Sequence, residues 1–239
     1  MKKNLLLVLF SLLSCKKPDQ LAAMNNIKMP EYEELIHTVS SKEVLKVLIV
    51  GNSITSHAIA DEIGWRHKSG MAATQENKDY VHLLFDKLNT QYPHKTIFLR
   101  FSNWSQFERS PNDFPGFKTA REFSPDVLIF QLSDNTSDKT ANEFGKYSIR
   151  FLKDFKCQKL VVSPFFMNDF NFNLSKTIAV KSNSIFVDIS SISQNKINRA
   201  SNEAGQTKRA QWKSDGIGQH PGDKGMFSIS EIIFKAIIQ

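Results

Sequence analysis

The sequence predicts an α/β protein of three layers, with helices on both faces of a parallel sheet of about five strands. Short apolar runs of strand length recur along the chain, and segments with helical amphipathic periodicity separate them. Strands of a parallel sheet are buried on both faces, so their sequences are apolar throughout rather than alternating. No internal repeat is found, and no glycine-rich phosphate loop or dinucleotide fingerprint follows the first strand. The chain is therefore expected to form an open α/β sheet without a nucleotide site.

The predicted elements alternate along the chain. The first strand ends in four consecutive apolar residues, Val47 to Val50, and the later strands are similar runs of Val, Ile, Leu and Phe. The helices are recognised by apolar residues that recur at helical spacing. Strands are expected at residues 44–50, 96–101, 127–132, 159–163 and 184–188, and helices at residues 80–89, 142–155 and 225–238.

The N-terminus has the pattern of an export signal. Lys2 and Lys3 precede an apolar run, residues 5–13, which is too short to cross a bilayer because a span needs about 20 residues. The run ends in Leu-Leu-Ser-Cys, which resembles a bacterial lipobox and implies that Cys15 becomes the lipid-modified first residue. Cleavage by the ordinary signal peptidase is the alternative. We expect a signal at 1–14, a tether and N-terminal extension at 15–43, one domain at 44–239, and a lipid-anchored location in the bacterial cell envelope.

Cysteine content and charge restrict the possible partners. Besides Cys15 the chain has only Cys157, so no structural disulfide is expected if Cys15 carries lipid. The net charge of +7 is modest and spread along the chain, and part of it leaves with the signal. Nucleic-acid binders concentrate positive charge on one face, so no nucleic-acid partner is expected. We expect a monomer that contacts the membrane only through its lipid anchor.

The pentapeptide Gly51-Asn52-Ser53-Ile54-Thr55 directly follows the first predicted strand. Ligands of open α/β sheets bind beyond the carboxyl ends of the strands, so a hydroxyl at this turn faces a cleft. Ser53 is therefore a candidate nucleophile. The alternative is that Ser53 only caps a helix.

A glycine-rich loop near the C-terminus carries Asp215 and His220, just before the last predicted helix. A serine hydroxyl is a weak nucleophile until a base takes its proton, and a carboxylate that fixes the tautomer of a histidine base helps it. This loop supplies both groups, so His220 is the candidate base and Asp215 the candidate acid.

With these residues the chain resembles the SGNH or GDSL hydrolases. The pentapeptide around Ser53 looks like their first block, and Ser133-Asp134-Asn135 looks like their Gly-x-Asn block with Ser133 in place of the glycine. The resemblance implies a flavodoxin-like fold, Ser53 as nucleophile, and Asn135 with the backbone N–H of Ser53 as oxyanion donors. Asn103 lies where the second block supplies another donor.

The last block departs from the family in its spacing, because four residues rather than two separate Asp215 from His220. Asp188 and Asp223 are therefore alternative acids, and a Ser-His dyad held by a backbone carbonyl is a further alternative.

A long segment between Ser53 and the first predicted helix is expected to cover the cleft, since loops longer than about 12 residues are usually functional or disordered. Trp65 within it is expected to bind substrate or to anchor the loop, and Asn52 is assigned to substrate binding. The phenylalanine-rich stretch 165–172 is expected to form either an apolar wall of the site or part of the core. No cofactor is expected, and His57 and His67 lack further ligands at zinc spacing.

Together these features predict a serine ester hydrolase of the cell envelope that removes acyl groups, acetyl in particular, from carbohydrate through an acyl-enzyme. A catalytically silent glycan-binding lipoprotein and an acyltransferase on the same fold are the alternatives.

Overall fold

The computed structural model describes residues 29–203 and 212–239. These residues form a six-stranded sheet. Its strands are β1 (Glu33–His37), β2 (Val44–Gly51), β3 (Thr96–Asn103), β4 (Val127–Gln131), β5 (Gln158–Val162) and β6 (Ile185–Val187). The spatial order is β1-β3-β2-β4-β5-β6, and all neighbours are parallel except β1, which runs antiparallel to β3. The predicted α/β class is confirmed.

Eight α-helices connect and follow the strands within these two ranges. They are α1 (Tyr80–Gln91), α2 (Ser105–Arg109), α3 (Gly116–Phe123), α4 (Ala141–Lys153), α5 (Asp169–Ser182), α6 (Ser190–Gln194), α7 (Asp215–Gln219) and α8 (Asp223–Ile238). Short 3₁₀ turns lie at Glu76–Lys78, Lys196–Asn198 and Ala200–Asn202. The three predicted helices correspond to α1, α4 and α8.

Helices cover both faces of the sheet, as the three-layer prediction requires. On one face Leu84 and Leu88 of α1 share an apolar cluster with Ile229 and Ile233 of α8. On the other face, α2, α3, α4 and the segments around them supply a cluster rich in aromatic rings. Its fully or almost fully buried rings include Trp104, Phe107, Phe114, Phe117, Phe130, Phe144 and Phe151.

The sheet extends further toward the N-terminus than expected, because β1 falls in the segment assigned to a tether and N-terminal extension. Its sequence, Glu-Glu-Leu-Ile-His, lacks an apolar run because it is a largely exposed edge strand. Pairing with β3 and an ion pair between Glu34 and Arg100 hold it in place. The ordered sheet thus includes residues before Val44 and has six strands rather than about five.

Helix α5 is also absent from the elements that the sequence predicts. Its buried side includes polar residues, Asn171, Ser175 and Ser182, which weaken the apolar periodicity. Signals for its ends were nevertheless present. The Asn168 side chain caps the N-terminus by accepting from the N–H of Asn171, and Asn183 ends the helix in the left-handed conformation at φ 53°.

The predicted signal and the lipidation site at Cys15 lie outside the described residues. Within residues 29–203 and 212–239, no helix has the length and apolar character needed to cross a membrane.

Candidate active site

Ser53 lies just beyond the carboxyl end of β2, which pairs with β3 on one side and β4 on the other. Gly51, the last residue of β2, is level with Asn103 of β3 and with Gln131 of β4. The carbonyl of Asn52 accepts hydrogen bonds from the N–H groups of Thr55 and Ser56, at 3.0 and 3.1 Å. This tight turn leaves the Ser53 side chain half-buried at the sheet edge, where open α/β sheets bind ligands.

Residues far apart in the sequence meet at this point. The Oγ of Ser53 is 3.0 Å from Nε2 of His220. The other ring nitrogen, Nδ1, is 2.8 Å from the carbonyl oxygen of Gly216. A carbonyl only accepts hydrogen bonds, so Nδ1 carries the proton and Nε2 of the neutral ring accepts from the Ser53 hydroxyl. This is the tautomer that a general base needs.

The surroundings of His220 keep the ring uncharged. Its ring packs edge-to-face on Phe166, with the ring centroids 4.9 Å apart. Burial and, less strongly, repulsion by His57 lower the pKa of His220 to about 4, although the hydrogen bond to the carbonyl of Gly216 acts to raise it. His220 is therefore neutral at pH 7 and able to take a proton. Phe166 belongs to the phenylalanine-rich stretch 165–172, and through it that stretch contacts the ring of His220.

The carbonyl of Gly216 occupies the position expected for the carboxylate of Asp215, which corrects that expectation. Asp215 is exposed at the start of α7, while Gly216 lies four residues before His220. The intervening residues wind into a helical turn, which brings the carbonyl of residue i−4 to the ring. Carbonyls of the last helical turn lack partners within the helix, so the His220 side chain satisfies one of them.

The two alternative acids are bound elsewhere. The carboxylate of Asp223 accepts from the N–H and the hydroxyl of Thr74, at 2.8 and 2.6 Å, and pairs with Lys78. Asp188 is exposed and accepts from the N–H of Ser190. Of the sequence-level alternatives, the dyad held by a backbone carbonyl matches the geometry.

Asn52 was expected to bind substrate, but its side chain is fully buried. Its Oδ1 accepts from the N–H of Ile54 at 3.0 Å, and its Nδ2 donates to Asp134 at 2.9 Å. These contacts shape the turn that presents Ser53. Asn52 therefore has a structural role, because no part of its side chain faces solvent.

Trp65 is likewise buried, with 1% of its surface exposed. It packs with Ala60, Met71 and Ile217, and therefore ties the loop after Ser53 to α7. The alternative expectation for Trp65, a packing anchor of the loop, describes its environment. Its burial argues against direct contact with substrate.

The two expected oxyanion donors flank the nucleophile turn. Asn103, at the end of β3, donates from Nδ2 to the carbonyl of Ser56 at 2.6 Å. Its Oδ1 accepts from the N–H of Ser105 at 2.9 Å. Asn135 follows β4, and its Nδ2 donates to Glu108 at 2.6 Å. Each amide uses one N–H in these bonds, and an amide nitrogen has two.

Ser133 has a backbone conformation that favours glycine. Its φ of 121° lies in the left-handed region, which glycine adopts without a Cβ penalty. The sequence pattern had placed Ser133 at the glycine of the family block. The serine hydroxyl contacts the hydroxyl of Ser175 at 2.7 Å, an interaction that glycine cannot make.

Two further carboxylates, the fully buried Glu108 and the half-buried Asp134, bind loops around the site, and no sequence pattern indicates a role for either. Asp134 accepts from Asn52 at 2.9 Å, from Gln131 at 3.0 Å and from the N–H of Phe166 at 2.8 Å. It thus joins the nucleophile turn, the end of β4 and the segment that contacts His220. Glu108 lies in α2, a segment too short to show a helical pattern, so no sequence signal distinguished it.

A polar cavity of about 260 Å³ adjoins the Ser53 loop. Its lining residues include Glu31, Glu33, Ser56, His57, Lys68 and Asn103. A larger and more apolar cavity of about 560 Å³ lies at the opposite end of the sheet, near Val44 and Thr96, where β2 and β3 begin. Among residues 29–203 and 212–239, no group of His, Cys, Asp and Glu is arranged to hold a metal ion.

No protein-family model matches the sequence, and no curated protein matches it. Solved structures do share its fold. An acetylxylan esterase from Geobacillus stearothermophilus aligns over 82% of this chain and 94% of its own, with 18% identity and a TM-score of 0.52. A two-domain esterase active on acetylated mannans aligns over 82% of this chain and 49% of its own, with 20% identity and a TM-score of 0.53.

A GDSL-like protein from Parabacteroides merdae aligns over 84% of this chain and 98% of its own, with 17% identity and a TM-score of 0.51. These likenesses confirm the fold that the SGNH or GDSL resemblance implied.

Proposed function

We propose that this protein is a serine ester hydrolase in which Ser53 and His220 form a catalytic dyad. The observation that carries the proposal is the chain of contacts from Ser53 Oγ through Nε2 and Nδ1 of His220 to the carbonyl of Gly216, at 3.0 and 2.8 Å. Nucleophile and base within hydrogen-bond reach, with the base oriented by a third group, is the arrangement that activates a serine.

Each group has a defined step in this mechanism. Nε2 of His220 takes the proton of Ser53 as Oγ attacks the acyl carbonyl, and the imidazolium then donates that proton to the departing alcohol. The negative charge of the tetrahedral oxygen falls to the backbone N–H of Ser53 and to the Asn135 amide, with Asn103 as a further donor. Water, deprotonated by His220, then attacks the acyl-enzyme, and His220 returns that proton to Ser53 Oγ as the bond between Oγ and the acyl carbon breaks.

The substrate class we propose is an acylated, in particular acetylated, carbohydrate. The cavity of about 260 Å³ beside the Ser53 loop is lined by carboxylates, a lysine, a histidine and an asparagine. Such a lining offers donors and acceptors for sugar hydroxyls, which a purely apolar acyl pocket would not. Two of the solved structures that share the fold are an acetylxylan esterase and an esterase active on acetylated mannans, which supports the same class.

The first experiment is turnover of p-nitrophenyl acetate by the purified full-length protein and by Ser53→Ala. Loss of turnover in Ser53→Ala is expected, because Oγ is the attacking atom. Ser137→Ala is the matched control, since Ser137 is exposed and its hydroxyl contacts the hydroxyl of Thr140 at 3.2 Å. Turnover that persists in Ser53→Ala would refute the dyad.

The second experiment measures acetate release from acetylated xylan and mannan. Release that depends on Ser53 supports the carbohydrate substrate. Transfer of acetyl to an added sugar acceptor would instead indicate an acyltransferase. Binding of the glycan without release would indicate the glycan-binding alternative.

We also propose that the protein is exported and lipid-anchored through Cys15 in the bacterial cell envelope. The support is the basic, apolar and Leu-Leu-Ser-Cys succession at the N-terminus. Labelling with a palmitate analogue in a bacterial host is expected for the wild-type protein and not for Cys15→Ser. Equal labelling of both would contradict the proposal.

A further inference from the structure

Glu108 is a fully buried carboxylate that the dyad mechanism does not use. It accepts three hydrogen bonds, all from the segment after β4. The N–H of Ser133 donates at 2.6 Å, and Asn135 donates from its backbone N–H at 3.3 Å and from Nδ2 at 2.6 Å. Burying a carboxylate is costly unless it is paired or hydrogen-bonded, so these donors are what permits the burial.

The contacts at Asn135 fix the orientation of its amide. Nδ2 faces Glu108, and Oδ1 accepts from Nη2 of Arg109 at 3.2 Å. An arginine only donates and an ionised carboxylate only accepts, so the amide cannot be flipped without placing donor against donor and acceptor against acceptor. Two consecutive residues of α2 thus hold the amide, Glu108 at Nδ2 and Arg109 at Oδ1. The second N–H of Nδ2 is not used by Glu108.

The backbone of Ser133 completes this arrangement. Its left-handed φ of 121° accompanies an N–H directed at the Glu108 carboxylate, two residues before Asn135. The loop is therefore bound to Glu108 through main chain as well as side chain.

We propose that Glu108 is a positioning residue that holds the Asn135 amide with one N–H directed at the tetrahedral oxygen of the reaction. This inference rests on the proposed function, because it assigns Asn135 to the oxyanion. Glu108 itself does not touch the substrate. It acts by fixing a donor in advance, and donors that need no reorganisation are the ones that stabilise a transition state most.

The charge state of Glu108 follows from its surroundings. Burial and, less strongly, repulsion from Asp134 raise the pKa of Glu108 to about 7, although the three hydrogen bonds act to lower it. Arg109 is the cation nearest in sequence, and it contacts Asn135 rather than Glu108. All three partners of Glu108 are donors, so the ionised carboxylate is the form that satisfies them. The test is therefore made at pH 8.

The experiment compares Glu108→Gln, Asn135→Ala and the double variant in p-nitrophenyl acetate turnover by the full-length protein. Glutamine preserves the volume but has one acceptor oxygen instead of two, so its NH₂ group faces either Nδ2 of Asn135 or the N–H groups of Ser133 and Asn135. We expect each single variant to lower kcat by about 10²-fold with little change in KM, which is the loss typical of one oxyanion donor. The double variant should lose no more than either single one, because both remove the same interaction.

A second measurement does not depend on turnover. In the wild-type protein, NMR should show one Nδ2 proton of Asn135 protected from hydrogen exchange, and Glu108→Gln should remove that protection. Glu143→Gln is the matched control, because Glu143 is exposed and pairs only with Lys146 within α4. It should leave both readouts unchanged.

The outcomes separate this inference from the proposed function. Ser53-dependent turnover that is unchanged in Glu108→Gln would overturn the role of Glu108 alone. Losses that multiply in the double variant would do the same, because Glu108 would then act independently of Asn135. Turnover that survives Ser53→Ala would refute the proposed function. The role of Glu108 would then fail as well, because no oxyanion would form beside Asn135.

Discussion

The substitution Asp215→Asn tests what orients His220, the proposed catalytic base. In a Ser-His-Asp triad the carboxylate holds the Nδ1 proton of the histidine, and its replacement by an amide lowers kcat about 10⁴-fold. Here the carbonyl of Gly216 is 2.8 Å from Nδ1 of His220, and Asp215 is exposed at the start of α7. The substitution therefore removes a charge but leaves the tautomer and orientation of the ring intact.

The size of the expected effect follows from that exposure. Exposed charges interact through water and typically contribute less than about 1 kcal/mol. An effect of 1 kcal/mol on the transition state corresponds to a change of about fivefold in rate. Asp215→Asn is therefore expected to lower kcat/KM by no more than about fivefold. Replacing the acid of a true triad would lower the rate about 10⁴-fold, which is roughly three orders of magnitude more.

The assay is p-nitrophenyl acetate hydrolysis by the wild-type protein, Asp215→Asn, Asp188→Asn and His220→Ala. Asp188→Asn is the matched control, since Asp188 is exposed and accepts from the N–H of Ser190. His220→Ala should lose activity as fully as Ser53→Ala, because the base itself is gone.

A fall of about 10³-fold or more in Asp215→Asn, with unchanged thermal stability, would refute this reasoning. It would mean that the loop unwinds when substrate binds and that Asp215 then replaces the carbonyl of Gly216.

Three further predictions concern pH, the cleft loop and the nucleophile turn. We expect kcat/KM to rise with pH in two steps, near pH 4 as His220 loses its proton and near pH 7 as Glu108 ionises, with only the upper step absent in Glu108→Gln. A single step near the ordinary histidine pKa in a pH–rate profile would contradict it. Trp65→Ala should lower the free energy of unfolding, measured by urea denaturation, by about 3–5 kcal/mol and leave KM little changed. A raised KM at unchanged stability would instead indicate that Trp65 contacts the substrate. Gly70→Ala should cost about 1–3 kcal/mol, because its new Cβ would collide with the carbonyl oxygen of Ile54, and unaltered stability would show that this turn can shift.

The sequence was sufficient to predict the layered fold and to single out Ser53 and His220, the two residues of the proposed dyad. The central strands are long apolar runs, and burial on both faces of a parallel sheet requires that composition. Ser53 directly follows such a run, so its place at the sheet edge is a consequence of local sequence. His220 directly precedes the amphipathic α8, and the structure brings the two side chains together at 3.0 Å.

The sequence could not predict elements that lack the usual apolar pattern of a strand or a helix. β1 is an exposed edge strand without an apolar run, and α5 buries polar residues on its packed side. Trp65 illustrates the same difficulty for a side chain, because a tryptophan in a loop is equally compatible with a ligand site and with a buried anchor.

By itself, the sequence determined the features that depend on near neighbours: the five apolar strands and the three principal helices. The tertiary structure alone decided that a helical turn in α7 brings the carbonyl of Gly216 to His220. It also decided that Glu108 meets Ser133 across 25 residues and that Ser53 meets His220 across 167. The physical reason is that apolar periodicity records whether a residue is buried, whereas a hydrogen bond depends on which donor the packed chain places within about 3 Å of an acceptor.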